Sequence, residues 1–186
     1  MVGVMAMRLT SKSTATAYRF RSDDHRCSWA ICTVNDATGE LSVQSDAGSW
    51  AHRWNIDHLG GGKTLTQFLG DRDGVHYLFG KLTTKQDEQV DVDGTIRHCL
   101  ETIRRQRRDG LSKTEARRAY DWVKDSGDDY LSDSVDVWLS EMPDYVTDVL
   151  GSDVYESIRM APTCSAVVLR DLILPALIEA CRAEVP

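Results

Sequence analysis

The sequence contains no Cys-x-x-Cys pair, no unbroken apolar run of membrane-spanning length, no excess of positive charge, no internal repeat and no low-complexity tract. Each absence closes a class of function. The five cysteines, Cys27, Cys32, Cys99, Cys164 and Cys181, are odd in number and irregularly spaced. No disulfide framework is indicated, and they read as reduced thiols packed as small hydrophobes in a cytosolic protein. The most apolar stretch, 166–181, is broken by Arg170, Asp171, Pro175 and Glu179, too short and too charged to cross a bilayer. Met1 to Met7 is apolar but lacks the basic start and long apolar body of a signal peptide. A net charge of −7 and a pI near 5.2 argue against non-specific binding to nucleic acid or anionic membrane as the dominant behaviour. A local basic patch stays compatible with that balance.

What is present points to an α+β fold: an N-terminal antiparallel sheet of about five strands with one short inserted helix, then a C-terminal helical bundle. The 186 residues suffice for one domain with a real core. The expected division is a sheet subdomain over 1–90 and a helical subdomain over 91–186, packed as one globular unit. Tyr18 and Phe20 alternate with Ala17, Arg19 and Arg21, the period-two signature of a half-buried strand. Residues 26–34 are rich in strand formers, Asn35-Asp36-Ala37-Thr38-Gly39 is a turn, and Leu41 and Val43 continue a third strand. After Asp46-Ala47-Gly48 comes a fourth, with Trp50, His52, Trp54 and Ile56 on one face. Residues 75–82 are expected as the fifth. Short sequential connections favour a meander. Thr64 and Gly70 bracket the inserted helix as caps, and 83–94, without hydrophobic period, is expected as a linker.

The second half has helical spacing. Ile96, Cys99, Leu100 and Ile103 fall at i, i+3, i+4 and i+7, and Gly110 ends that helix. Ser112 with Glu115 forms a capping box for the next, which presents Ala116, Ala119, Tyr120 and Val123. Short helices are expected around 135–139, 145–150 and 154–160. A final helix over 165–182 is apolar nearly all round and holds Pro175, which removes a backbone donor and is expected to kink it. Charge divides this half. Residues 97–118 hold eight Lys or Arg against three Asp or Glu, a net of +5; residues 121–159 hold eleven Asp or Glu against two cations, a net of −9.

Several constellations invite chemical readings. Gly60-Gly61-Gly62-Lys63-Thr64 suggests a phosphate-binding loop, in which Lys63 would reach the phosphate. The full pattern needs a glycine where Asp57 stands, and a flexible loop ahead of a helix explains the residues equally. Asp24 and His25, with Asp23 and the histidines His52 and His58, hold metal-ligand chemistry without ligand spacing; a turn accounts for the acidic pair. His76 and His98 stand alone, and any cysteine–histidine pairing is unconstrained. Arg19, Arg21, Arg53 and Trp54 would make an aromatic-basic face for single strands, or an ordinary sheet surface. Arg104, Arg105, Arg107 and Arg108 make a basic run able to contact nucleic-acid phosphates, or simply a solvated helix end complementing the helix dipole. The acidic series is Asp121, Asp125, Asp128, Asp129, Asp133, Asp136, Glu141 and Asp144, continued by Asp148, Asp153 and Glu156. Carboxylates at this density can imitate a nucleic-acid backbone and steer a basic partner, or merely keep the protein dispersed.

Gly48-Ser49-Trp50-Ala51-His52-Arg53-Trp54-Asn55, then Leu65-Thr66-Gln67-Phe68-Leu69, then Tyr77-Leu78-Phe79-Gly80-Lys81-Leu82 resembles a pattern in small uncharacterised accessory proteins of tailed bacteriophages. The resemblance covers residues 15–85, carries no known activity and leaves the acidic half outside. It implies a phage setting in the bacterial cytoplasm, where small accessory proteins bind and block host machinery, nucleases of defence systems included. The leading expectation is a non-enzymatic interaction protein, monomer or homodimer. It would bind a host protein or complex that handles nucleic acid through the acidic helices. No cofactor and no membrane partner is expected. The alternatives are a small phosphate-substrate or metal-dependent enzyme using Lys63 or Asp24 and His25, and a nucleic-acid-binding module using the helix over 97–108.

Overall fold

The computed structural model describes residues 12–71, 74–127, 131, 134–151 and 153–185. The chain starts as a four-stranded antiparallel meander: β1 (Thr16–Arg21), β2 (Trp29–Asn35), β3 (Glu40–Ser45) and β4 (Ser49–Arg53), hydrogen-bonded in sequence order. Register sets Cys32 opposite Tyr18 and Val43, and Val43 opposite Trp50. Alternation decides which face is buried. Ala30, Cys32 and Val34 of β2 and Leu41 and Val43 of β3 face the core, while Trp29, Ile31 and Thr33 lie on the half-exposed side.

After β4 come α1 (Leu65–Gly70) and α2 (Val75–Leu82). The Thr64 hydroxyl accepts the Gln67 N–H and the Gln67 side chain answers to the Thr64 N–H, so a two-turn helix has both first-turn donors capped. Val75–Leu82 is helix, correcting the expected fifth strand. Leu78 and Leu82, four apart, are its buried residues, and one helical face serves both. The apparent linker over 83–94 is also structured. Lys85–Asp87 makes a single tight turn, and β5 (Glu88–Val90) pairs antiparallel with β6 (Met160–Pro162) as a separate two-stranded sheet. The following helix α3 (Val92–Arg108) starts at an Asp91 cap whose carboxylate accepts the Gly94 N–H at 2.8 Å. Then come α4 (Lys113–Ser126), α5 (Val135–Ser140) and α6 (Asp144–Leu150). Residues 154–160 hold a short 3-10 turn, Val154–Ser157, and the start of β6 rather than a further α-helix. The terminal helical segment runs as α7 (Cys164–Val168), a wide π turn over Leu169–Ile173, and α8 (Leu174–Glu184). Pro175 has no N–H to return to Asp171, and the widened turn directly before it takes up that loss. The architecture is therefore an antiparallel sheet followed mostly by helices.

Contacts divide the chain into two units. The described residues up to Asp87 group with those from Thr163 onward, and the described residues of Glu88–Pro162 form the other unit. In the first, the buried sheet face meets Leu65, Phe68 and Leu69 of α1 and Leu174, Leu177, Ile178 and Cys181 of α8. Gly70 permits the α1–α8 approach: a Cβ there would lie 3.0 Å from the Arg182 backbone. In the second, Cys99, Ile103, Ala116, Ala119, Val123, Trp138, Val146 and Val149 close a separate core among α3–α6. Among the described residues no helix is long and apolar enough to cross a membrane.

A candidate acidic interaction surface

Of the acidic helices, α5 is held by one aromatic anchor. A six-residue helix such as α5 has no stability of its own in water, so packing must supply it. Trp138, fully buried, does this. Its indole N–H donates to Ser126 Oγ of α4 at 3.0 Å, and its ring lies 5.8 Å from that of Trp122. Val146 and Val149 of α6 pack into the same core, and the Arg118 guanidinium sits 4.1 Å over the Tyr145 ring.

With those residues inward, the carboxylates are left outside. Asp125, Asp136, Glu141 and Asp144 are exposed, as are Asp148, Asp153 and Glu156. Asp121 is partly covered and takes the Arg117 Nε at 2.8 Å across one helical turn. Among the described residues it is the one member of the series in an ion pair. Asp136 and Asp144 occupy the first turns of α5 and α6, where the positive ends of the helix dipoles favour negative charge. Asp128, Asp129 and Asp133 lie outside the described residues.

The basic run splits in two. Arg104 and Arg107 of α3, with Lys113 and Arg117 of α4, line a groove of about 280 Å³ floored by Ile103, Ala116 and Tyr120. The Arg104 guanidinium stands 5.6 Å from the Tyr120 ring centre. Arg105 and Arg108 are exposed and are not among the residues lining the groove. The sequence held both helices but no signal that their side chains meet.

The remaining candidates have structural roles. Lys63 Nζ is paired with Asp71 at 2.6 Å on the surface, and Thr64 caps α1. Gly60, Gly61 and Gly62 all adopt positive φ on open surface. Asp24 is clamped by Arg26, with Nη2 to Oδ2 at 2.7 Å, which holds its carboxyl far below the usual range; His25 beside it is exposed. Among the described residues no three His, Cys, Asp or Glu side chains converge as a metal site. Of the two readings of Arg19, Arg21, Arg53 and Trp54, the ordinary sheet fits: Trp54 is a core residue whose indole donates to Tyr77 Oη at 3.2 Å, and the three arginines are exposed. His52 packs edge-on against Trp54 and His98 lies against Arg159. Burial pushes the Cys32 thiol up to about 12, and those of Cys99 and Cys181 to about 11, which favours the neutral thiol at each. Only Cys164 of the five is exposed. A thiol reagent such as DTNB is therefore expected to modify one cysteine in the native protein and all five in denaturant. Rapid modification of a second in the folded state would contradict the burial.

No curated protein and no solved structure matches the chain. A family model does: Phage_phiTE_072, described as a Phage family, matches residues 7–183, taking in the acidic helices as well as the sheet. The match runs through nearly all of the sequence, and the chain belongs to this phage protein family.

Proposed function

We propose that this phage protein works by binding rather than by catalysis. It would engage a host protein or complex that handles nucleic acid, defence nucleases included, by presenting the carboxylates of α4, α5 and α6 to a basic groove. The observation that supports this reading is the exposed series Asp125, Asp136, Glu141 and Asp144, on or beside α4, α5 and α6, which share one core; the Trp138–Ser126 bond joins α5 to α4. Fixed charges on a packed scaffold lose little conformational entropy on binding, and a field of one sign speeds encounter with a basic partner. The same field would be indifferent or repulsive toward nucleic acid itself.

The test is the combined variant Asp125→Asn, Asp136→Asn, Glu141→Gln and Asp144→Asn. All four positions are exposed, so the fold should be unchanged by circular dichroism. Partner capture from host lysate is expected to weaken by roughly tenfold or more. Undiminished capture by the folded variant rules the surface out.

A further inference from the structure

The segment Glu88–Pro162 carries two surfaces of opposite character. One is the α3–α4 groove, with its apolar floor of Ile103, Ala116 and Tyr120 between Arg104, Arg107, Lys113 and Arg117. The other is the outer face of α5. Asp136, Val137, Ser140 and Glu141 are exposed together at i, i+1, i+4 and i+5, and Val137, at 44% exposure, is one of the few large hydrophobic side chains left to solvent among the described residues. An apolar knob flanked by carboxylates on a two-turn helix matches, in size and in sign, a short apolar groove rimmed by cations. Helix-in-groove recognition uses this pairing of buried anchor and charged border. A surface built for phosphates alone would have no use for the apolar floor.

We infer that the α3–α4 groove of one molecule receives the α5 face of a second copy of this chain. Val137 sits on the Ile103–Tyr120 floor, and Asp136 and Glu141 meet the arginines. The two surfaces differ, so the contact is head-to-tail, and it extends into short chains or closes into a ring. Both surfaces are small and bordered by charge, so the contact is weak and sensitive to salt. This inference does not rest on the host-binding reading, and its test uses no host component.

The test is sedimentation of the full chain from micromolar to millimolar concentration, at low and high salt. The weight-average mass should rise with concentration at low salt and return to monomer at high salt. Arg104→Glu with Arg107→Glu removes the groove, and Asp136→Lys with Val137→Lys removes the face. Each variant alone should associate at least tenfold more weakly. Mixed together, they should form a one-to-one heterodimer and nothing larger, because each keeps one working surface. Arg19→Glu with Arg21→Glu on exposed β1 positions changes net charge as much as the groove variant and should associate like the wild type. If a groove variant fails to fold, Lys113→Glu with Arg117→Glu reads the same groove from α4. A wild type that stays monomeric at millimolar concentration and low salt overturns the inference. So does self-association of the folded groove or face variants at wild-type strength, or a mixture that does not pair.

Discussion

Trp138→Ala is expected to lower the stability of the Glu88–Pro162 unit by about 3–5 kcal/mol. The indole is fully buried and is the single buried residue of α5, so truncation leaves a large cavity where that helix had its anchor. It also strands Ser126 Oγ, buried and deprived of its donor. A loss of this size is a large fraction of an ordinary domain's stability. It should appear in urea unfolding as an early transition, with α5 and its carboxylates released first. Trp138→Phe separates the two contributions. It keeps most of the ring volume while orphaning the hydroxyl, and should cost about 1–3 kcal/mol. An unfolding curve for Trp138→Ala that overlays the wild type would show that α5 is held by something else.

Gly39→Ala should be the most damaging small substitution in the sheet unit. Gly39 closes the β2–β3 turn at φ +69°, a left-handed conformation that costs any side-chain-bearing residue about 1–2 kcal/mol. A Cβ there would also fall on the Trp54 carbonyl oxygen, closer than carbon and oxygen can approach. The Trp54 N–H donates to the Gly39 carbonyl at 2.8 Å, so relieving the clash pulls that bond apart and disturbs the seat of Trp54. The combined cost is about 2–4 kcal/mol. Gly61→Ala is the matched comparison: φ is +63°, but the position faces open space, and only the backbone strain of about 1–2 kcal/mol applies. Equal thermal shifts for the two variants would contradict the steric part of the account.

The sheet was legible because its strands alternate cleanly; Cys32, Val34, Leu41 and Val43 lie on the inward face that period two assigns them. The caps at Thr64 and Ser112 and the turn ending at Gly39 were legible because each satisfies a local backbone requirement. Val75–Leu82 misled because Val75, Tyr77 and Phe79 also alternate. The helical spacing of Leu78 and Leu82 decides the matter only once a core exists to receive both. β5 left no local trace: it is three residues long, and its partner Met160–Pro162 lies about seventy positions further on. The terminal helix read as apolar all round, yet that pattern could not say that it packs with the sheet rather than with α3–α6.

The site follows the same division. Exposure of Asp125, Asp136, Glu141 and Asp144 could be read from their charge and from their place between the apolar positions that the helices bury. The basic groove could not, because it exists only where α3 and α4 meet. Arg104 and Arg107 belong to it while Arg105 and Arg108 do not, a distinction of side-chain direction that the run Arg104-Arg105-Gln106-Arg107-Arg108 does not contain. Alternation along β4 groups Trp54 with Trp50, and both are buried; it fails only at Ile56, which lies beyond the end of β4 at Arg53 and is exposed.

The most direct test of the binding account is competition. The protein is immobilised, equilibrated with host lysate at low salt, and washed with a free polyanion such as duplex DNA. Release of a nucleic-acid-handling partner by the DNA, together with its absence from the carboxylate-neutralised variant, is the predicted result. A partner that stays bound through the wash, and binds the neutralised variant equally well, would contradict the claim that the acidic helices occupy a nucleic-acid groove.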